Sequence, residues 1–100
     1  MEQGAAGREV VVVTGSGGMG LAIARRLGPG RRLVMADYDA AVLAAAGAGL
    51  RAEGHDVTEQ VTDVGDPDQV AALADRSVAL GRLAAAVQTA GVSPVQASPG

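Results

Sequence analysis

Four glycines fall within the stretch Gly15-Ser16-Gly17-Gly18-Met19-Gly20, shortly after the valine run 10–13. Gly15, Gly17 and Gly20 satisfy GxGxxG, a spacing whose chemistry is the cradling of a diphosphate. The chain turns sharply at the first glycine, a pyrophosphate nears the backbone at the second without meeting a Cβ, and the third lets a helix pack closely on a strand. Free amides in the first helical turn, helped by the helix dipole, then attract the anion. Ser16 offers a hydroxyl donor in the same loop, and Met19 lies within it. Any strand-to-helix corner can use glycine, so the loop gains meaning only from a partner. That partner is Asp37, about twenty residues further on, where a carboxylate can accept hydrogen bonds from the hydroxyls of an adenosine ribose. A carboxylate at this place repels a 2′-phosphate, and no Arg stands in the glycine loop or directly after Asp37. NAD is therefore expected as cofactor in preference to NADP.

Acid/base chemistry is much less well provided for. Tyr38 is the single tyrosine, His55 the single histidine, and the chain contains neither Lys nor Cys. A phenol that titrates near 10 needs a neighbouring cation to work near neutrality. Tyr38 follows the candidate ribose-binding aspartate, a place suited to covering an adenine or closing a loop. Ser93 and Ser98 have no partner base, and His55, between Gly54 and Asp56, is expected at a solvated polar turn. No catalytic residue and no metal ligand is expected among these positions, and without Cys there is no disulfide framework.

The elements that must position the loop and the aspartate alternate along the chain. Residues 10–13 form a continuous β-branched run, as in a parallel strand buried on both faces. Helical spacing begins at Gly18 and runs through Leu21, Ile23, Ala24 and Leu27 to the stop at 28–30. A second strand is expected over 32–36. Asp39 then caps a helix over 40–54, whose alanines are strong helix formers. Residues 57–62 read as a third strand. Asp66 and Pro67 open a helix over 67–80 with Val70, Leu73, Val78 and Leu80 on one side. Residues 83–88 supply a fourth strand, flanked by a flexible start at 1–8 and a loop tail at 92–100. Alternation at this spacing requires right-handed crossovers and a parallel sheet. The expected fold is therefore α/β, a single Rossmann-type doubly wound domain of four strands in the order 3-2-1-4. Apolar residues make up 48% of the 100 residues and aromatics 1%, so the core must be built from small Ala, Val and Leu side chains.

The motifs TGSGGMG (14–20), ADYD (36–39), TDV (62–64) and QTAGVSP (88–94) stand in the order and spacing of the short-chain dehydrogenase/reductase family, which the chain resembles over essentially its whole length. The resemblance implies hydride transfer between a nicotinamide and a hydroxyl or carbonyl carbon. It also implies that Asp63 and Val64 contact the adenine, and that Ala90 and Gly91 lie along the adenosine half of the cofactor. Two departures stand out. The glycine loop is one residue shorter than the common TGxxxGxG, and Gln88, Thr89, Ala90 and Gly91 replace the common NNAG, so that a hydroxyl stands where an Asn amide would tie strands together. The family's catalytic Ser, Tyr and Lys have no counterpart here. The chain thus reads as the cofactor-binding half of such an enzyme, inactive by itself, whose small-molecule substrate would be met only by a longer form.

Two other readings remain open: a dinucleotide-sensing module without chemistry, and a methyltransferase-like domain, which also places glycines after its first strand and an acid after its second. Net charge is −3 and all eight basic residues are Arg, with no aromatic-interleaved basic stripe, so nucleic acid is not an expected partner. No apolar run is long enough to span a bilayer, and a cytoplasmic location is expected. In a doubly wound layout, a helix over 67–80 standing by itself on one face leaves part of that face bare, with the fourth strand as an open edge. Self-association through that face or edge is expected.

Overall fold

The computed structural model describes residues 8–89. Seven elements alternate: β1 (Glu9–Thr14), α1 (Gly18–Leu27), β2 (Arg32–Asp37), α2 (Ala40–Ala52), β3 (Asp56–Val61), α3 (Pro67–Leu80) and β4 (Arg82–Gln88). They form one four-stranded parallel sheet in the order β3-β2-β1-β4, the order expected for a doubly wound fold of this type. The expectations for 1–7 and for 92–100 lie outside the described residues.

The valine run hides a period of two. Val11 and Val13 face α1 and α2 and join Ala24, Leu33, Met35, Leu43 and Leu50 in one core layer. Val10 and Val12 point the other way, meeting Val34, Ala36 and Leu73 beneath α3. Both faces of β1 and β2 are therefore covered, which is why neither strand shows polar alternation. Small residues set the spacing between layers, with Ala24 and Ala36 fully buried at the two contacts.

Coverage is uneven, as the layout implied. Beside α3 an apolar cleft of about 260 Å³ opens over β1 and β4, lined among others by Val70, Leu73, Val78, Leu83, Ala86 and Val87. Val78 is 58% exposed and Leu83 47% exposed, because a single helix spans too little of that face. β4 lies at the edge of the sheet and pairs with β1 through a register shift between Val10 and Val11, where Ala84 is the extra residue. No helix among the described residues is long and apolar enough to cross a membrane.

A group of ion pairs gathers at the N-terminal ends of the strands. Asp56 meets Arg8 at 2.7 Å and Arg32 at 3.2 Å, and Glu9 meets Arg31 at 2.8 Å and Arg82 at 3.6 Å. These pairs are half exposed and contribute little each. The opposite edge, at the C-terminal ends of the strands, carries the glycine loop and Asp37, the side where open α/β sheets bind ligands.

Candidate functional site

The glycine loop leaves β1 at Gly15, whose φ of +96° is a left-handed conformation that a side chain would strain. Its amide donates to the carbonyl of Ala36 at 2.7 Å, so the loop is pinned to the end of β2 as it turns. Gly20 fills the third role: a Cβ built there would overlap the carbonyl oxygen of Gly15. At Gly17 the same atom would meet nothing within 4 Å and would project into open space. Beside the loop lies a pocket of about 260 Å³ lined by Gly15, Gly17, Gly18, Met19, Gly20 and Thr89.

The three helices differ at their N-termini. In α2 the Asp39 carboxylate accepts from the amides of Ala41 and Val42, and in α3 Asp66 accepts from the amide of Asp68. In α1 the N-cap is Gly17, without a side-chain cap and with no acidic residue in the first turn. The first intrahelical bond is Leu21 N–H to Gly17 at 2.9 Å, which leaves the amides of Gly18, Met19 and Gly20 without helical acceptors. Among the described residues, α1 is thus the one helix whose positive end is left open, and it opens on the glycine pocket.

Asp37 ends β2 beside this loop. Its Oδ2 accepts from the amide of Ser16 at 2.8 Å and from the hydroxyl of Ser16 at 2.7 Å, while Oδ1 accepts from the amide of Asp39 at 3.0 Å. Partial burial by itself would raise the carboxyl pKa. The hydrogen bonds from Asp39, from Ser16 twice and from the Tyr38 amide together outweigh it and hold Asp37 below the usual carboxylate range. The hydroxyl of Ser16, expected to serve the phosphate, is engaged with Asp37 instead.

Of the other sequence-derived candidates, Met19 is 65% exposed at the pocket mouth and Tyr38 is 76% exposed at the turn after β2. Asp63 and Val64 follow β3, whose last residue, Val61, is in register with Asp37. Asp63 is built into a turn: its carboxylate accepts from the amide of Gly65 at 2.9 Å, and its own amide donates to Gln69 at 2.8 Å. Ala90 and Gly91 lie outside the described residues. Among the described residues no group of three or more His, Asp or Glu side chains could hold a metal ion.

Two positions read differently in three dimensions. His55 is not at a solvated turn: its side chain is 12% exposed, with Nε2 3.9 Å from Glu53. Its Nδ1 would stand 2.8 Å from a Cβ at Gly28, so the ring fills the space that this glycine leaves. Thr89 does tie β4 to its neighbour, through a hydroxyl that donates to the carbonyl of Thr14 at 2.7 Å and approaches that of Gly15 at 3.3 Å. It also lines the glycine pocket, a role that its place directly after the strand could have signalled.

Comparison with known proteins agrees with this geometry. The family model for short chain dehydrogenases matches residues 9–99. The short-chain dehydrogenase/reductase bsc3 of Alternaria brassicicola is 35% identical over 91 residues, covering 91% of this chain and 33% of that protein. A short-chain dehydrogenase/reductase from Burkholderia phymatum, solved in complex with NAD, is 39% identical with a TM-score of 0.67 and covers 78% of this chain and 28% of its own. Actinorhodin polyketide ketoreductase, solved with NADPH, is 33% identical with a TM-score of 0.79 and covers 85% of this chain and 34% of its own. The chain thus spans about a third of the length of the relatives it matches.

Proposed function

Because the chain belongs to the short-chain dehydrogenase/reductase family, we propose that the open end of α1 and Asp37 together bind a nicotinamide dinucleotide, NAD in preference to NADP. The carrying observation is the contrast among helix ends: α2 and α3 are closed by their own aspartates, while α1 presents bare amides to a pocket walled by glycines. Gly17, Gly18 and Gly20 would hold the diphosphate. Asp37, in register with the end of β3, would take the adenosine ribose, with Tyr38, Asp63 and Val64 around the adenine and Ala90 and Gly91 further along it. The preference for NAD rests on charge, since an ionised carboxylate at 37 opposes a 2′-phosphate.

The dinucleotide supplies hydride transfer to or from a hydroxyl or carbonyl carbon. In this reading the chain's own residues bind and orient it, and the proton transfer that must accompany hydride movement is not theirs. Tyr38 stands exposed beyond the ribose site and the sequence has no Lys to lower a phenol's pKa. That observation also favours a second reading, a module that senses the dinucleotide without turning it over. A small-molecule substrate belongs to the oxidoreductase reading only, and the methyltransferase-like reading gives way to the family assignment.

Isothermal titration of the chain with NAD and with NADP tests the proposal. Saturable NAD binding, with NADP markedly weaker, is expected. Binding of neither, or tighter binding of NADP, would refute it. Steady nicotinamide absorbance on mixing NADH with carbonyl compounds favours the sensing module, whereas its decay favours the enzyme.

A further inference from the structure

Ser16 stands where the glycine loop and β2 meet, and it is 2% exposed. Nothing about phosphate binding requires this side chain to turn toward β2, yet both its donors end on the same oxygen of Asp37, at 2.8 and 2.7 Å. The aspartate is held from other directions as well. Its carbonyl accepts from the amide of Thr62 on β3 at 2.9 Å, and its Oδ1 accepts from the amide of Asp39 at 3.0 Å. With both lone pairs of Oδ2 engaged by Ser16 and one of Oδ1 by the Asp39 amide, the acceptor capacity left for a ligand is the second lone pair of Oδ1, on which the Tyr38 amide has only the weakest of these influences.

We propose that Ser16 is a positioning residue for nucleotide selection: its hydroxyl clamps Asp37 against the glycine loop and leaves Oδ1 as the oxygen that receives a sugar hydroxyl. The inference rests on the dinucleotide reading above and adds to it a residue that acts through Asp37 rather than on the ligand. Two effects follow from the clamp. An acceptor already fixed loses less freedom when the ribose arrives, which strengthens binding of NAD. A carboxylate that cannot rotate away also keeps its charge where a 2′-phosphate would sit, which weakens binding of NADP. Ser16 thereby sets the ratio of the two affinities, a quantity that general loosening of the fold does not move. The lowered pKa of Asp37, to which the Ser16 hydroxyl contributes, agrees with the clamp.

The test compares wild type with Ser16→Ala, which removes the hydroxyl and keeps the amide, and with Ser16→Thr, which restores a hydroxyl. Calorimetric titration of Ser16→Ala is expected to show NAD affinity reduced about tenfold, with NADP reduced less or not at all. Ser16→Thr should recover the wild-type ratio. An unchanged ratio in Ser16→Ala, while wild type binds NAD, overturns the role of Ser16 and leaves the dinucleotide site standing. Failure of wild type to bind either dinucleotide overturns both. Should Ser16→Ala or Ser16→Thr not fold, Ser16→Cys, which keeps the side chain's shape but donates only weakly, takes their place: an NAD-to-NADP affinity ratio lowered from wild type supports the clamp, and an unchanged ratio overturns it.

Discussion

Thr89 donates twice to one carbonyl: its amide and its hydroxyl each reach the oxygen of Thr14 at 2.7 Å, closing β4 onto β1 at the rim of the glycine pocket. The backbone bond survives any substitution except Pro, whereas the hydroxyl bond is lost in any residue without a hydroxyl. Thr89→Val, of similar shape, should cost about 1 kcal/mol, the net worth of one such hydrogen bond. In a domain of this size that lowers the melting temperature by about 4–8 °C. Thermal melts followed by circular dichroism measure it, and an unchanged melting temperature would show the hydroxyl bond to be idle.

Two loop glycines should separate folding from binding. Gly20→Ala forces a Cβ onto the Gly15 carbonyl, a backbone clash that no side-chain movement relieves, and overpacking of this kind costs about 1–3 kcal/mol. Gly17→Ala meets nothing, at a φ of −78° that alanine readily adopts, and its smaller unfolded-state entropy opposes alanine's poorer fit as an N-cap, so stability should change by less than about 1 kcal/mol. Gly17 lines the pocket, and if the diphosphate lies against its backbone as proposed, the added methyl should lower NAD affinity. Urea melts and calorimetry on the pair check this, and equal NAD affinity in wild type and Gly17→Ala would place the diphosphate elsewhere.

Acid should weaken the fold in a defined window. Hydrogen bonds to Asp37 override its burial and hold its pKa low, Glu9 is held low by its hydrogen bond and charge pairing with Arg31, and Glu53 by the same with Arg25. Each group has a folded pKa below its unfolded one. Its stabilisation is therefore complete above the unfolded value, about 3.9 for Asp and 4.3 for Glu, and is lost as pH falls through the folded value. Urea midpoints should be flat from about pH 8 to about pH 5 and decline below about pH 4. Added salt should remove much of the exposed Glu9 and Glu53 part and spare that of Asp37, whose bonds are to a neutral serine and to amides. A midpoint that rises on acidification would contradict the assignment.

The apolar cleft beside α3 and the open edge of β4 should make the chain associate with itself. Sedimentation velocity across a concentration series is expected to show reversible dimers or larger species. Leu83→Lys and Val78→Glu, both at exposed positions on that face, should return it to the monomer without loss of stability. A wild-type chain that sediments as a monomer at every concentration would disprove this.

Much of the fold was legible because its signals are local. The valine run, the cap at Asp39, the Asp66-Pro67 helix start and the glycine spacing each work within a few residues, and hydrogen-bonded turns and caps depend on little beyond their neighbours. The βαβ alternation then limited the sheet to a few parallel arrangements, and the glycine fingerprint after β1 pointed to the order 3-2-1-4 among them. The candidate site was legible to the extent that it is made of such signals: Gly15, Gly17, Gly20 and Asp37.

Only the tertiary structure decided what those residues touch. That the hydroxyl of Ser16 serves Asp37, 21 residues away, and that of Thr89 serves Thr14, 75 residues away, depends on strands laid side by side, which no local pattern encodes. His55 reads as a polar turn because its neighbours in sequence are Gly54 and Asp56, yet it is enclosed by a helix end that carries Gly28. Composition and spacing establish which groups are present and which element each belongs to. The lone pair each donor finds, and the side chains left facing water, are set by packing between segments distant in the chain.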